Sequence, residues 1–203
     1  MAPFRTSIKR LSERLKPCEE WIELIRDLQD PIVIHEPNLH FNMRWADKRD
    51  LSAVSALEGF VKETNFMEES LKRGDRCLLL ETDRRIIAFA WVTFRDFKLA
   101  LWYTLKVHPG WSYLVYIFVH PEYGRQGIGS YLLGSLMMEL RELDHRILIS
   151  GMYSNWEHSI RLHAKMGFKI HRRLTQCRLL NIFPYPPKEE VVASGGSQDE
   201  KPH

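Results

Sequence analysis

A glycine-spaced basic turn joins an apolar run to a helical pattern near the middle of the chain. Glycines stand at positions 124, 127 and 129, and Arg125 lies among them. Glycine lets the backbone turn sharply and brings its N–H groups close to a ligand, because no Cβ stands in the way. The helix predicted behind the turn adds unpaired N–H donors and the positive end of its dipole. The turn therefore predicts a site for phosphate or pyrophosphate oxygens.

Two common nucleotide motifs do not fit this turn. A Walker loop needs Gly-Lys followed by Ser or Thr, and the turn has no such run. A dinucleotide fingerprint needs a third glycine where Leu132 stands and an acidic residue at the end of the next strand. That strand, predicted over 146–150, is followed by Gly151 and Met152 instead. A glycine-rich strand-to-helix turn without a ligand stays open as the alternative.

A second segment, downstream, favours a ligand over that alternative. Residues 155–168 predict a short helix that starts at a cap near Ser154 or Asn155. Gly167 stands where a glycine commonly follows the end of a helix. A partly buried face is predicted for its apolar residues, which are Ile160, Leu162, Ala164 and Met166.

Together the two segments resemble the GNAT N-acetyltransferase superfamily over roughly residues 42–183. The run Ser-Ile-Arg-Leu-His followed by Gly-Phe is most similar to the phosphinothricin-acetyltransferase branch. The resemblance implies an α/β (α+β) fold, in which helices flank a mixed, mostly antiparallel sheet with one parallel, splayed strand pair. It also implies acetyl-CoA as co-substrate, without a metal. The residues that it assigns to the coenzyme are Phe118, Val119, Gly124, Arg125, Gln126, Gly127, Ile128, Gly129, Ser130, Asn155 and Ser159.

Three positions depart from the family pattern. The Gln or Arg that usually opens the first motif is Gly124 here, with the cation moved to Arg125. Asn155 lies one residue earlier than the usual spacing, so that Trp156 occupies the expected position. The carboxylate that often serves as general base on the central strand has no counterpart, because Tyr113 stands at about that place.

Amide formation from a thioester needs an acid, a base and a polarised carbonyl. By resemblance, a backbone N–H near Val119 polarises the carbonyl. His163 stands four residues before Gly167, where many relatives carry a tyrosine as general acid. An imidazole with an ordinary pKa of about 6.5 can protonate a thiolate, and a surface histidine on an amphipathic helix is the alternative. His120 is the candidate base, and Tyr113 is a candidate group on the substrate side.

The resemblance implies an acetyl-CoA-dependent N-acetyltransferase that acts on a primary amine of a small molecule or amino acid. A protein lysine or N-terminal acetyltransferase and a non-catalytic CoA-binding regulatory domain stay open. The aromatic-rich segment 99–111 would either shape an acceptor pocket or cover the sheet edge. The sequence identifies neither the acceptor nor the acyl length, and it leaves the oligomeric state open, with a homodimer among the alternatives.

Composition agrees with a globular protein. The chain has 203 residues, 44% of them hydrophobic, and a net charge of +3 that is too small to indicate nucleic acid. The three cysteines, at 18, 77 and 177, form no metal or disulfide pattern, which predicts a reducing, cytoplasmic environment. No apolar run approaches the roughly 20 residues that span a bilayer, and no export signal is recognisable.

The pattern divides the chain into three parts. Residues 1–40 predict a helical extension, with helices over 7–15 and 17–28 that cover the domain or contact a membrane surface or partner. Residues 184–203 predict a disordered tail.

Between these two parts, at 41–183, lies the predicted acetyltransferase domain. Its elements are a strand over 43–46, helices over 50–57 and 66–73, a hairpin of 77–81 with 86–94, a central strand over 113–119, a helix over 129–143, a parallel strand over 146–150, and an antiparallel pair of 169–173 with 176–183.

Overall fold

The computed structural model describes residues 18–60, 64–100, 103–179, 183–184 and 188–191. Its strands are β1 Cys18–Asp27, β2 Asn42–Trp45, β3 Arg76–Thr82, β4 Arg85–Thr93, β5 Phe97–Ala100, β6 Tyr103–Leu105, β7 Trp111–Val119, β8 Ile147–Tyr153, β9 Lys169–Leu179, β10 Phe183–Pro184 and β11 Lys188–Val191. Its helices are α1 Leu51–Ser55, α2 Thr64–Lys72, α3 Ile128–Glu142 and α4 Glu157–Lys165. Short 3-10 turns cover Lys48–Asp50 and Pro121–Tyr123. The helix predicted over 7–15 lies outside the described residues.

Nine of these strands form one mixed sheet. Their order is β10-β9-β1-β8-β7-β4-β3-β2, and β11 pairs with β9. Strands β7 and β8 are parallel, whereas the other neighbours in the sheet are antiparallel. Strands β5 and β6 form a separate hairpin. The predicted fold class, a mostly antiparallel sheet with one parallel pair and flanking helices, is confirmed.

Local sequence explains why the elements begin and end where they do. The β3–β4 hairpin turns at Asp83 and Arg84, whose φ angles of 48° and 61° are those of a two-residue turn matched to the strand twist. Gly167 has a φ of +80° directly after α4, as its predicted position at a helix end requires. The buried face of α3 presents a leucine-rich stripe, made of Leu132, Leu133, Leu136, Met137 and Leu140.

Apolar side chains cover both faces of the sheet. On one face, α3 and α4 pack over β4, β7 and β8 and enclose the largest core cluster. On the other face, α1 and α2 cover β3 and β4 through Leu51, Val54 and Met67. The β5–β6 hairpin covers the neighbouring part of that second face, where Leu105 and Phe97 pack with Tyr113. The site described below lies between these layers.

The helix predicted over 17–28 is wrong, because residues 18–27 form strand β1. This strand pairs with β8 on one side and with β9 on the other, so it lies inside the sheet. Ile22 and Leu24 enter the core, while Glu23 is buried on the opposite face against Arg172. A strand buried on both faces loses the simple alternation that distinguishes a strand from a helix in sequence.

Two further predictions near the C-terminus are corrected. The predicted break between 173 and 176 is absent, because Leu174 and Thr175 continue the pairing of β9 with β1. The predicted tail contains a strand, β11, whose Lys188–Val191 pair with Thr175–Arg172 of β9. The same register places Cys18 opposite Cys177, a proximity that the spacing in sequence did not indicate.

Candidate active site

The parallel strands β7 and β8 part in the middle of the sheet. They are paired over only four positions, from Trp111 opposite Ile147 to Leu114 opposite Ser150. Strand β7 then continues to Val119 and β8 to Tyr153 without further pairing between them. Strand β8 keeps its partner β1 up to Tyr153, so it is the β7–β8 side that opens. We call the gap beyond Leu114 and Ser150 the strand opening.

A β-bulge explains where the opening begins. In the β4–β7 ladder, Trp91 lies opposite Tyr116 and Val92 opposite Leu114, so Val115 is the extra residue on β7. A bulge bends its strand and increases the local twist. Since Val115 directly follows the last residue paired with β8, the bend turns the rest of β7 away from β8. The bulge in β7 is therefore the reason that the two parallel strands splay apart.

The backbone of β7 directs N–H groups into the opening. The N–H of His120 donates to the carbonyl of Ile87 at 2.8 Å, on the β4 side. Successive N–H groups of a strand point to opposite edges. The N–H groups of Val119 and Ile117 are therefore directed away from β4, toward the space that β8 has left. They can polarise a carbonyl that enters the opening.

The glycine turn lies at the far end of the opening, where β7 leads into α3. Gly127 is the N-cap of α3, has a φ of +82° and makes no side-chain cap. A Cβ built at Gly127 meets no atom within 4 Å among the described residues. Arg125 is exposed and also has a positive φ, of 61°. The first N–H groups of α3 therefore face open space beside a cation, as anion binding requires.

The turn is held in place by contacts among three elements. A Cβ at Gly129 would lie 3.5 Å from Leu162 of α4 and 3.8 Å from Val119 of β7. The absence of a side chain at Gly129 thus lets α3 start close to both β7 and α4. Ile128, which is buried, and the half-buried Ser130 flank it in the first turn of α3. Gln126 is exposed and donates to the carbonyl of Glu122 at 3.4 Å.

The remaining predicted coenzyme residues surround the opening. Phe118 stacks on Phe89 at 5.6 Å, on the face opposite α3, so its backbone rather than its ring borders the opening. Asn155 is exposed in the loop between β8 and α4, and the N-cap of α4 is Trp156 rather than Asn155 or Ser154. Ser159 lies in the first turn of α4. Leu162, one turn further, brings this helix against the glycine turn.

His163 is buried in the interior of α4. Only 1% of it is exposed, its Nδ1 lies 2.8 Å from the Ser159 carbonyl, and its ring packs edge-on against Phe168 at 4.9 Å. Burial lowers the pKa of His163 from its usual 6.5, against the opposite effect of the Ser159 hydrogen bond. In the neutral ring Nδ1–H donates to Ser159, which leaves Nε2 without a proton to give. The structure therefore does not favour His163 as the general acid.

Of the other two predicted catalytic residues, His120 lies away from the start of the opening and Tyr113 is buried just before it. His120 is five residues beyond Val115, roughly 16 Å along an extended strand. There its Nδ1 accepts from the Glu122 N–H at 3.3 Å, so it caps the turn that leads to the glycines. Tyr113 is 1% exposed and stacks on Phe97 at 5.7 Å, where β7 and β8 are still paired. Neither placement fits the predicted role of base or substrate contact.

The sequence reasoning missed the contribution of β1 to the rim of the opening. Trp21 covers Gly151, the first residue of β8 beyond the last parallel pair, because a Cβ there would lie 2.6 Å from the Trp21 Nε1. Trp21 also packs edge-on against Tyr153 at 5.1 Å, and Tyr153 against Trp156 at 5.6 Å. Glu23, which pairs with Gly151 across the strands, is fully buried and accepts from Arg172. Reading 17–28 as a helix concealed this register.

Two kinds of feature are absent from the part of the chain that the structure describes. No helix there is long and apolar enough to cross a membrane. No group of three or more His, Cys, Asp or Glu side chains in the same part of the chain could hold a metal ion. Cys77 is buried, and its pKa is raised by desolvation.

A comparison with known protein families identifies the family of this chain. Residues 38–168 match the acetyltransferase (GNAT) family. The chain belongs to the GNAT family. The match includes the bulged strand, the glycine turn, α3 and α4, so the family prediction from the two motifs is confirmed. The chain is accordingly a GNAT acetyltransferase in fold and family.

Known proteins resemble this chain in sequence and in fold. The chain is 23% identical over 142 residues to the L-methionine sulfoximine/L-methionine sulfone acetyltransferase of Salmonella typhimurium, over 66% of this chain and 83% of that protein. It is 30% identical over 60 residues to the L-amino acid N-acyltransferase MnaT of Escherichia coli, over 30% and 35%. The crystal structure of a GCN5-related N-acetyltransferase from Sphaerobacter thermophilus has a TM-score of 0.59 at 15% identity, over 83% of this chain and 54% of that chain.

Proposed function

We propose that this GNAT protein transfers the acetyl group of acetyl-CoA to the primary amine of a small molecule, with an amino acid as the preferred acceptor class. The observation that carries the proposal is the parting of β7 from β8 after Leu114 and Ser150, directly beside the glycine turn. A long, thin substrate with an anionic end fits a gap between strands that ends at a helix N-terminus.

The residues around the opening fit acetyl-CoA. Its pyrophosphate would lie on the first N–H groups of α3, where the space beside Gly127 is free of described atoms and Arg125 adds positive charge. Its pantetheine arm would run along β7 toward Val115, with the N–H groups of Val119 and Ile117 as hydrogen-bond donors. The thioester would then reach the start of the opening, where the bulge is.

The transfer chemistry needs little from charged side chains. The neutral acceptor amine attacks the thioester carbonyl, the C–S bond breaks, and the nitrogen gives up one proton while the thiolate takes one up, so that an amide and a free thiol are formed. Backbone N–H donors in a preformed position stabilise the developing oxyanion without reorganisation, which is the largest contribution in many acyl transfers. Tyr153, whose side chain is 38% exposed on the rim, is the proton donor of this proposal in place of the buried His163.

An apolar, aromatic rim supports a small acceptor. On the β8 side, Trp21, Tyr153 and Trp156 form a connected series of edge-on rings next to the opening. Trp156 is 53% exposed, so the series reaches solvent. Aromatic surfaces of this kind bind compact apolar side chains. Both relatives by sequence carry names that refer to amino-acid acceptors, which points to the same class.

An acceptor panel tests the proposal. Purified protein with acetyl-CoA is offered L-methionine sulfone, L-methionine sulfoximine, other L-amino acids, a peptide with a free N-terminus and a blocked peptide with an internal lysine. Thiol release and mass spectrometry of the product are read together, with N-acetylated L-methionine sulfone as the control without a free amine. We expect acetylation of free amino acids with a kcat/KM at least tenfold above that of either peptide.

Two outcomes of the panel would contradict the proposal. Faster acetylation of a peptide than of any amino acid would make the protein a protein acetyltransferase. Tight binding of acetyl-CoA without thiol release for any amine would indicate a coenzyme-binding regulatory domain.

A further inference from the structure

Two of the three cysteines stand directly opposite each other in the sheet. Cys18 is the first residue of β1, and the β1–β9 ladder pairs it with Cys177. The pairing is regular from Cys18 to Glu23, because the irregularity of this ladder lies between Glu23 and Leu24. None of the roles proposed above uses either cysteine.

Hydrogen bonds on the other edge of β1 show what kind of pair this is. The Leu28 N–H, directly after β1, donates to the Arg146 carbonyl at 2.7 Å, and the Ser154 N–H donates to the Glu20 carbonyl at 2.9 Å. Leu28 and Glu20 therefore direct their backbone groups to the β8 side, as does every second residue between them. The same alternation, continued by two residues, directs the backbone groups of Cys18 to that side and away from β9.

Cys18 and Cys177 therefore form a pair of the type that exchanges no backbone hydrogen bonds. In an antiparallel ladder, the Cα atoms of such a pair are about 4.5 Å apart, closer than those of a hydrogen-bonded pair. Disulfides join Cα atoms that are about 4.4–6.8 Å apart. The backbone spacing at this pair thus lies within the range that a disulfide can bridge, near its short end.

The third cysteine is placed differently. Cys77 is buried in β3, and desolvation raises its pKa. A thiol reacts as its thiolate, so this environment makes Cys77 a poor nucleophile. In the sheet, β8, β7 and β4 lie between β1 and β3, so Cys77 is also far from the other two cysteines. Oxidation of the folded protein should therefore spare Cys77.

We propose that Cys18 and Cys177 are a modification site, at which a small disulfide oxidant such as oxidised glutathione converts the two thiols into a cross-strand disulfide. The thiolate of one cysteine attacks a sulfur of the oxidant, which releases one glutathione thiolate and leaves a mixed disulfide. The other cysteine attacks the protein sulfur of that mixed disulfide and releases the second glutathione. The two cysteines lose two electrons to glutathione, and their two protons end on the two glutathione thiols.

The disulfide would tie the start of β1 to β9. Strand β1 fills the sheet between β8 and β9, and it carries Trp21 at the rim of the strand opening. A bridge between residues so far apart in sequence restricts the unfolded chain much more than the folded one. Oxidation should therefore stabilise the fold and hold β1 in the sheet. This inference does not depend on the proposed function.

The test measures the disulfide equilibrium of the full chain in buffers with set ratios of reduced to oxidised glutathione. Free thiols are trapped with a maleimide and counted by mass spectrometry, and a peptide map locates the bridge. We expect the folded wild type to lose two of its three thiols in one intramolecular bridge, between Cys18 and Cys177. Half of the folded protein should be oxidised at a reduced-to-oxidised ratio at least about tenfold higher than half of the urea-unfolded protein, because the sheet holds the two cysteines together.

Single substitutions separate the pair from the third cysteine. Cys77→Ser should form the bridge at the same glutathione ratio as the wild type, whereas Cys18→Ser and Cys177→Ser should stop at a mixed disulfide with glutathione. Oxidation should raise the Tm of the wild type by roughly 4 °C or more, and Cys18→Ser should show no such rise.

Four results would overturn the inference. Three free thiols in the folded wild type, at ratios that oxidise the unfolded chain, would show that the sheet keeps the two cysteines apart. Equal ratios for the folded and the unfolded chain would show that the register gives no advantage. A bridge that includes Cys77 or joins two chains would place the reactive pair elsewhere. A Tm that stays the same or falls on oxidation would show that the bridge does not fit the sheet.

Discussion

Leu114 and Ser150 are the last residues that join β7 to β8, and the bulge residue Val115 follows directly on β7. One extra residue in the β4–β7 ladder thus separates a closed part of the sheet from an open one. Tyr113 lies on the closed side, under the β5–β6 hairpin. The N–H groups of Ile117 and Val119 lie on the open side, which leads to the glycine turn.

Gly127→Ala should weaken acetyl-CoA binding by tenfold or more. A Cβ at this position would project into the space that we assign to phosphate oxygens, and alanine at a φ of +82° adds strain of about 1–2 kcal/mol. Gly110→Ala is the matched control, because Gly110 has a φ of +75° and also meets no described atom within 4 Å, but lies before β7. Both variants should lose similar stability in chemical unfolding, whereas only Gly127→Ala should lose affinity in titration calorimetry. Equal acetyl-CoA affinity in the two variants would contradict a phosphate site at this turn.

Gly129 should respond to the size of the substituted side chain. The Cβ of Gly129→Ala would lie 3.5 Å from Leu162, which is ordinary contact, so this variant should unfold much like the wild type. Gly129→Leu has to displace α4 or β7 and should lose about 1–3 kcal/mol of unfolding free energy. Urea titration of the two variants measures the difference. If Gly129→Leu is as stable as Gly129→Ala, the close approach of α3, β7 and α4 is not needed for stability.

His163 should make the protein less stable in mild acid. Its folded-state pKa lies below the unfolded value of 6.5, so the unfolded chain binds the proton more readily. Above pH 6.5 the ring is neutral in both states, and its burial contributes fully to the free energy of unfolding. That contribution is lost as the pH falls below 6.5 toward the folded pKa. His163→Phe removes this titration, so the fall in Tm between pH 7 and pH 5 should become smaller.

His163→Phe should also retain most of the single-turnover rate of acetyl transfer, since the neutral ring has no proton on Nε2 to donate. A loss of about 10²–10⁴-fold, the usual size of general acid catalysis, would restore His163 as the acid.

Leu24→Ala should destabilise the fold by about 2–4 kcal/mol, because Leu24 is 3% exposed in the main core from its position on β1. Leu143→Ala makes the same substitution at a leucine that is 38% exposed, directly after α3, and should change stability by no more than about 0.5 kcal/mol. Unfolding curves of both variants would show whether β1 is a stabilising strand inside the sheet or a segment that only covers the core. Equal stability of the two variants would contradict the central position of β1.

Much of the fold was predictable from the sequence because its signals are local. The turn at Asp83 and Arg84, the leucine stripe of α3 and Gly167 after α4 each depend on residues a few positions apart. Strand β1 depends instead on partners more than a hundred residues away, in β8 and β9. Trp21, Ile22, Leu24 and Ile25 also fit helical spacing, so the periodicity could not separate the two structures.

The position of the glycine turn in the candidate site was predictable for the same reason, and the burial of the catalytic candidates was not. Glycines in a strand-to-helix turn act through their backbone N–H groups, and their positions can be read directly from the sequence. The roles of His163 and Tyr113 depend on burial, which follows from how α4 and the β5–β6 hairpin pack. Glu23 and Trp21 could have been assigned to the rim only with the register of β1 known.

Hydrogen exchange with and without acetyl-CoA tests most directly whether the coenzyme lies in the strand opening. Backbone N–H groups that bind the coenzyme should exchange more slowly in the complex, as should those that the coenzyme covers. We expect slower exchange in peptides from 115–119 and 127–131, with no change in β3. Binding of acetyl-CoA that protects β3 or α2 while leaving 115–119 and 127–131 unchanged would contradict the assignment of the opening as the acetyl-CoA site.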